Sequence, residues 1–212
     1  MTIASPSGAI LTDFEENTAI VRVNKPAERN PLSIQTLQEL QNILEDLVAR
    51  EEIGSIVFTG TDDVFASGAN IKELTQLDSV SAIEFSRLGQ YVMSTIASAN
   101  QLTIAAINGY CMGGALDLAL ACDIRIASTD AVFAHPGAKL GIITGWGGTQ
   151  RLPRLIGKTA ALDLLLTARR FSATEALTLG LITNLDHAPL ETARLIASHH
   201  RNKTATLKHP PG

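Results

Sequence analysis

The chain has 212 residues, of which 45% are hydrophobic, 18% are charged and 4% are aromatic, and its formal net charge is −4. This length and apolar content suit one domain, with at most a small extension, that buries a sizeable core without disulfides. The negative charge and the shortage of aromatic rings argue against a nucleic-acid partner.

No apolar run approaches the roughly 18 residues that a membrane-spanning helix needs. The first residues also lack the basic and apolar regions of a signal peptide. We therefore expect a cytoplasmic protein with no membrane partner. The two cysteines, Cys111 and Cys122, show no metal-binding or redox spacing, so reduced thiols are favoured over a disulfide and no metal site is predicted.

Local patterns along the chain predict strands that alternate with helices. The predicted strands are Thr18–Val23, Gly54–Gly60, Leu102–Ile107, Asp123–Ala127, Ala131–Ala134 and Ile182–Leu185. The predicted helices are one capped by Ser33, then Ser81–Ala99, Gly113–Ala121, Gly145–Ile156, Lys158–Thr167, a short one opened by a capping box at Ser172–Glu175, and Leu190–His200. This alternation indicates an α/β fold with right-handed crossovers.

Two glycine-rich segments carry the chemical information. They are F-A-S-G-A-N-I-K-E-L, Phe65–Leu74, and N-G-Y-C-M-G-G-A-L-D-L-A, Asn108–Ala119. Each follows a predicted buried strand and leads into a predicted helix. Glycine lets a backbone approach a ligand closely, and a helix N-terminus offers unpaired N–H donors. Together the two segments can direct two N–H groups at one developing oxyanion.

These segments resemble two signatures of the crotonase (enoyl-CoA hydratase/isomerase) family, F-x-A-G-A-D-I-K and N-G-x-x-x-G-G-G-x-E-L-A-x-x-C-D. A third segment, F-A-H-P-G-A-K-L-G-I-I-T-G-W-G-G-T-Q-R-L, Phe133–Leu152, is similar to that family's F-x-x-P-E-x-x-x-G-x-x-P-x-x-G-G-T-Q-R-L. The three matches occur in order between about Thr18 and about Leu185.

The resemblance implies a spiral of ββα turns over residues 1–186, followed over residues 187–212 by a shortened C-terminal region, a short helix and a polar tail. It implies an acyl-CoA partner, with CoA entering as part of the substrate and no separate cofactor. A homotrimer or a dimer of trimers is the assembly that it suggests. The thioester oxygen would lie between the N–H groups of Ala69 and Gly114.

Three residues bear on acid–base catalysis. Asp117 lies in an apolar helix three residues after Gly114, and a carboxyl group in that setting suits acid–base chemistry near neutral pH. Hydratases of the family carry the longer Glu there. They also carry a second Glu where this chain has Gly137, and that carboxylate handles the α-proton. His135 lies two residues earlier and is an alternative base, although a structural role is the stronger interpretation.

The resemblance also assigns ligand-binding positions. The residues expected near the substrate or its CoA are Lys25, Ala27, Ala66, Gly68, Asn70, Ile71, Lys72, Gly113 and Trp146. For Lys72, ligand contact and a solvated charge are about equally expected. For Trp146, the alternatives are a ring that fills the acyl pocket, which favours small substrates, and simple packing.

Enoyl-CoA hydration is therefore the leading function. Gly137 leaves two alternatives open. One is other thioester-enolate chemistry, such as isomerisation, decarboxylation or C–C cleavage. The other is a non-catalytic acyl-CoA-binding protein. The sequence contains no G-x-S-x-G, H-E-x-x-H, Walker or G-x-G-x-x-G motif that would indicate another enzyme class.

Overall fold

The structure, a computed structural model, describes the backbone of residues 1–208 and the side chains of residues 1–200. Its strands are β1 (Thr2–Ala4), β2 (Ile10–Glu15), β3 (Thr18–Val23), β4 (Pro31–Leu32), β5 (Ser55–Thr59), β6 (Val64–Ala66), β7 (Gly68–Ala69), β8 (Leu102–Ile107), β9 (Tyr110–Met112), β10 (Ile124–Ala127), β11 (Val132–Ala134), β12 (Phe171–Ser172) and β13 (Asn184–Leu185). Its helices are α1 (Ile34–Ala49), α2 (Ile71–Leu74), α3 (Ser79–Ala97), α4 (Gly114–Ala121), α5 (Gly148–Ile156), α6 (Lys158–Thr167), α7 (Ala173–Thr178) and α8 (Pro189–Lys208).

The strands form a large sheet and two smaller ones. The seven-stranded sheet has the order β1-β2-β3-β5-β8-β10-β13, and it is antiparallel from β1 to β3 and parallel beyond. The second sheet has the order β12-β11-β9-β6, and β4 pairs with β7. Successive pairs β5/β6, β8/β9 and β10/β11 place one strand in each of the two larger sheets. This is the predicted spiral of ββα turns.

Several predicted elements are confirmed closely. Strands β3 and β8 and helix α6 have the predicted bounds. Ser33 caps α1, because its side chain accepts a hydrogen bond from the Thr36 N–H at 3.0 Å. Helix α4 is buried nearly all round, with Asp117 inside it, as its continuous apolar sequence predicts.

Other predicted boundaries were wrong. Helix α3 begins at Ser79 rather than Ser81. The reason is that the Asp78 side chain accepts hydrogen bonds from the N–H groups of Val80 and Ser81 and forms a capping box with Ser81. Strand β13 retains only the second half of the predicted Ile182–Leu185. The last helix continues to Lys208 instead of ending at His200, so the C-terminal helix is longer than predicted. The rest of the predicted tail, residues 209–212, lies outside the described residues.

The predicted capping box at Ser172 forms only in part. The Ser172 side chain accepts a hydrogen bond from the Glu175 N–H at 3.2 Å, so the cap itself is present. The Glu175 carboxylate instead binds Arg169 through two hydrogen bonds, of 2.5 and 3.1 Å. A charged guanidinium within reach is the stronger partner for a carboxylate than a backbone N–H.

The large sheet is covered on both faces. The main core lies between this sheet, the second sheet and helices that include α1, α3 and α4. On the opposite face, α8 packs Ala193 and Ala197 against buried β-branched side chains of the parallel strands. Among the helices within residues 1–208, none is both long enough and apolar enough to cross a membrane.

Candidate active site

A cavity of about 290 Å³ opens beside the first turn of α4. Its wall is formed by β7, α2, α3, the start of α4 and the segment between β11 and α5, and it is mostly apolar. The polar side chains that line it, within the described part of the chain, are those of Ser67, Ser86, Asp117, His135 and Thr144. The cavity therefore has an apolar body and a small polar centre.

The two glycine-rich segments meet at this cavity. Gly68 has a φ of +83°, and a β-carbon at this position would lie 2.5 Å from the Met112 carbonyl oxygen and 2.9 Å from the Gly114 nitrogen. Only glycine permits this approach of the two backbones. Ala69 follows directly, and Gly114 is the first residue of α4, so its N–H has no acceptor within the helix. Both Ala69 and Gly114 line the cavity.

Asp117 is the acidic group of the cavity. It is 1% exposed, and both of its carboxylate oxygens have partners. Oδ1 lies 3.2 Å from His135 Nε2, and Oδ2 accepts a hydrogen bond from the Thr144 hydroxyl. The N-terminus of α5 also faces the carboxylate, since a β-carbon at Gly148 would lie 2.1 Å from Oδ1.

His135 lies at the end of β11 and is 5% exposed. Because its Nε2 faces Asp117, the opposite edge of the ring, with Nδ1, points toward Gly137. A β-carbon at Gly137 would lie 3.8 Å from Nδ1 but only 2.8 Å from the carbonyl oxygen of Ile142. The Ile142 N–H also donates to the Gly137 carbonyl at 3.0 Å. The backbone at Ile142 therefore occupies the space that a side chain at position 137 would need.

Trp146 forms part of the apolar wall. Its indole is 4% exposed and packs 5.3 Å, between ring centroids, from Phe85 of α3. The ring therefore packs against its neighbours and lines the cavity, and its contact with an acyl chain stays a prediction.

The sequence predictions divide into two groups. The cavity brings together Ala69, Ile71, Gly113, Gly114, Asp117, His135, Gly137 and Trp146. The predicted positions that do not line it are Lys25, Ala27, Ala66, Gly68, Asn70 and Lys72. Contact of this second group with CoA stays a prediction. Asn70 has a visible local role, because its side chain caps α2 by accepting from the Lys72 N–H at 3.1 Å.

Sequence reasoning missed Thr144. Its hydroxyl binds Asp117, and it stands where the third family signature has proline. Proline has no side-chain donor, so that departure was the available signal. The apolar residues of α3 and of the segment before α5, such as Phe85 and Ile142, were also missed, because only the folded chain brings them to the cavity.

Cys111 is close to the polar centre but is fully buried. Burial raises the pKa of its thiol well above the usual value, and the nearby Asp117 carboxylate raises it further. A thiol held in its neutral form is a poor nucleophile, so Cys111 is unsuited to nucleophilic catalysis.

Comparison with known proteins gives one consistent family. The family model described as enoyl-CoA hydratase/isomerase matches residues 13–209. Short-chain-enoyl-CoA hydratase of Clostridium acetobutylicum is 35% identical over 192 residues, which cover 89% of this chain and 74% of the relative. Crotonyl-CoA hydratase of Syntrophomonas wolfei is 38% identical, with 83% of this chain and 68% of the relative covered.

The fold comparison agrees. The crystal structure of enoyl-CoA hydratase from Bacillus anthracis superimposes with a TM-score of 0.88 at 36% identity, and the match covers 91% of this chain and 76% of the other. The family match spans nearly the whole chain, and the sequence and structural relatives agree with it. The chain therefore belongs to the enoyl-CoA hydratase/isomerase family of the crotonase superfamily.

Proposed function

We propose that this protein is an acyl-CoA enzyme that adds water across the double bond of a 2-enoyl-CoA. The observation that carries the proposal is the close approach of two backbones, at Gly68–Ala69 and Gly113–Gly114, at the mouth of a cavity that also holds a buried carboxylate. This arrangement can stabilise a thioester enolate and move a proton beside it. The membership of the family supports the same chemistry.

In the proposed reaction, the thioester oxygen accepts hydrogen bonds from the N–H groups of Ala69 and Gly114. The oxygen of water forms a bond to the acyl β-carbon while Asp117 takes the water's proton. The electron pair of the double bond moves toward the thioester oxygen, and the resulting enolate is stabilised by the two donors. A second group then delivers a proton to the acyl α-carbon, which gives the 3-hydroxyacyl-CoA.

The fixed partners of Asp117 suit this role. Its carboxylate has little contact with bulk water and is held by His135 and Thr144, so it needs little reorganisation during the reaction. Asp is one methylene shorter than the Glu that the family usually carries, about 1.5 Å of reach. Its two neighbours hold it in a single position, and catalytic geometry depends on such placement.

The remaining parts of the proposal concern the ligand and its surroundings. CoA is bound as part of the substrate, with Lys25 and Lys72 as candidate contacts for its phosphates, and no separate cofactor takes part. The protein assembles as a homotrimer or a dimer of trimers in the cytoplasm. Light scattering of the purified protein tests the assembly.

One observation favours a second class of function. Gly137 cannot carry the second carboxylate that the family's hydratases use. Enolate formation by decarboxylation or C–C cleavage needs only one acid, and a non-catalytic acyl-CoA-binding protein needs none. These alternatives predict binding of saturated acyl-CoA without consumption of crotonyl-CoA.

The test is hydration of crotonyl-CoA, followed by the loss of the conjugated enoyl-thioester absorbance, with Asp117→Asn as the decisive variant. We expect kcat to fall by about 10²–10⁴-fold, because Asn has nearly the same shape but cannot accept the proton. Binding of butyryl-CoA, measured by calorimetry, should change little. Asp46→Asn is the matched control, since that aspartate lies on the surface and pairs with Arg50.

Two outcomes would count against the proposal. If the wild-type protein binds butyryl-CoA but does not consume crotonyl-CoA, a binding role or another enolate reaction is favoured. If Asp117→Asn hydrates crotonyl-CoA at the wild-type rate, the reaction does not depend on this carboxylate.

A further inference from the structure

Hydration needs a second proton-transfer group. The family's hydratases carry this group at position 137, which is a glycine in this protein. The proposed function assigns one transfer to Asp117, which takes a proton from water. The other transfer places a proton on the acyl α-carbon. Among the cavity-lining residues of the described chain, the ionisable side chains are those of Asp117 and His135.

We propose that His135 is the second catalytic residue, with Nδ1 as the atom that gives the proton to, and in reverse takes it from, the acyl α-carbon. This inference rests on the proposed function, because it concerns the second proton of the same reaction. It differs from the stronger sequence-based interpretation, in which His135 is structural.

The orientation of the ring is the first argument. Nε2 lies 3.2 Å from Asp117 Oδ1, which fixes the imidazole plane and its direction. Nδ1 is therefore the free edge, and it has no hydrogen-bond partner among the residues that the structure describes. A carboxylate that binds one ring nitrogen orients the imidazole and leaves the other nitrogen available to exchange a proton with a ligand.

The position of Nδ1 is the second argument. It lies 3.8 Å from the place that a β-carbon of residue 137 would take. The Nδ1 edge of the ring therefore lies beside residue 137, and His135 and Gly137 both line the cavity. Since a β-carbon there would lie 2.8 Å from the Ile142 carbonyl oxygen, a carboxylate cannot enter at position 137 without moving this backbone. The imidazole is thus the group available for proton transfer at this place.

The step balances without another reactant. The step requires an ionised Asp117 and a His135 with a proton on each ring nitrogen. The water oxygen bonds to the acyl β-carbon, Asp117 takes a proton from that water, and the Nδ1 proton moves to the acyl α-carbon as the enolate returns to the thioester. The products are the 3-hydroxyacyl-CoA, a protonated Asp117 and a neutral imidazole. Proton exchange with solvent restores the starting pair.

The inference is tested with butyryl-CoA in deuterium oxide. This saturated thioester has no double bond to hydrate, so the exchange of its α-hydrogen for deuterium, followed by mass spectrometry, reports the α-proton group alone. In His135→Gln the side-chain amide can still donate to Asp117 but cannot take up a proton at neutral pH. We expect both α-exchange and crotonyl-CoA hydration to fall by about 10²-fold or more.

Asp117→Asn gives the contrasting pattern. It should lose hydration by about 10²-fold or more, because water is no longer deprotonated, while α-exchange falls by no more than about tenfold. His187→Gln is the matched control, because that histidine is exposed, binds Thr129 at 3.1 Å and lies outside the cavity. It should leave both rates unchanged.

A second variant covers the case in which His135→Gln does not fold. His135→Ala leaves space in the cavity, and added imidazole should restore α-exchange. If His135→Gln or His135→Ala exchanges the α-hydrogen at the wild-type rate, His135 only positions Asp117 and the inference is overturned.

The two proposals fail in different ways. If only the inference about His135 is wrong, the wild-type protein still hydrates crotonyl-CoA, and substitutions at position 135 do not change the rate of α-exchange. If only the hydratase proposal is wrong, the wild-type protein does not consume crotonyl-CoA, but it still exchanges the α-hydrogen of butyryl-CoA and this exchange still depends on His135.

Discussion

At the scale of single residues, the position of the Trp146 indole helps to set the shape of the cavity. The indole of Trp146 packs directly against two backbones: a β-carbon at Gly89 would lie 2.1 Å from its Nε1, and one at Gly114 would lie 2.1 Å from its Cζ3. The ring therefore fills the gap between α3 and the start of α4. Its place in the cavity wall limits the volume of the cavity. Under the proposed function, this volume is the room left for an acyl chain.

This leads to a prediction about substrate length. Trp146→Leu should enlarge the apolar wall and raise the ratio of kcat/KM for 2-octenoyl-CoA over crotonyl-CoA by about tenfold, because each accommodated methylene contributes to binding in an apolar pocket. Steady-state hydration rates with both substrates measure this ratio. Phe171→Leu is the control, since that ring stacks on Phe133 outside the cavity. An unchanged ratio in Trp146→Leu would show that the ring only packs.

At the scale of elements, one buried carboxylate joins the N-terminal hairpin to α1. Glu39 accepts hydrogen bonds from the Ser5 hydroxyl at 2.5 Å and the Ser7 hydroxyl at 2.8 Å, and from Ser7 N–H at 3.1 Å. Burial acts to raise the pKa of the Glu39 carboxyl, but these bonds and one from Gln35 outweigh it and hold the pKa below its ordinary value of 4.5. The ionised form is thus stabilised in the folded state.

The sign of this shift predicts a pH dependence. A folded-state pKa below the unfolded one adds stability above the unfolded pKa, and that stability is lost as the pH falls through the folded pKa. Glu39→Gln should therefore lower the free energy of unfolding by about 1–3 kcal/mol at neutral pH, and by less below about pH 4. Urea unfolding at both pH values measures the difference. Glu52→Gln, an exposed change of the same type, should have little effect, and an equal loss at both pH values would contradict the prediction.

At the scale of the whole molecule, the large sheet depends on α8 to cover its second face. Ala193 and Ala197 are buried there against Ile20, Val57 and Ile104 of neighbouring strands. Alanine at both contact positions lets the helix lie close to the sheet. The same sheet carries the strands that lead into β9, α4 and β11, so this distant packing helps to hold the cavity walls in register.

Overfilling this contact should destabilise the molecule as a whole. Ala193→Leu adds volume to a fully packed site and should lower the free energy of unfolding by about 1–3 kcal/mol. Chemical denaturation measures the loss. Leu195→Ala removes an exposed side chain of the same helix and should change stability by less than about 0.5 kcal/mol. Equal effects of the two variants would mean that α8 does not pack on the sheet in this way.

The sequence by itself determined the family, the spiral fold and the main parts of the cavity. The three family signatures occur in the expected order, and two of them contain the glycine-rich segments. Because the sequence of α4 is apolar on all sides, the burial of Asp117 could be predicted from its neighbours along the chain. The Ser33 cap of α1 was predicted for the same reason, because its partner Thr36 is three residues away. Strand β8 was predicted from its own continuous apolar run, although its partner strands are distant in the chain. Boundaries that depend on competing caps, such as the start of α3, were predicted less well.

Only the tertiary structure decided how the acid–base groups meet. His135 and Thr144 lie 18 and 27 residues from Asp117 in the chain, and no local pattern indicates that both contact its carboxylate. The backbone of Ile142 occupies the space beside Gly137. The Trp146 ring lies where it does because Gly89 in α3 has no side chain. These contacts join distant segments, and their geometry follows from how whole elements pack, which residue type and spacing along the chain do not specify.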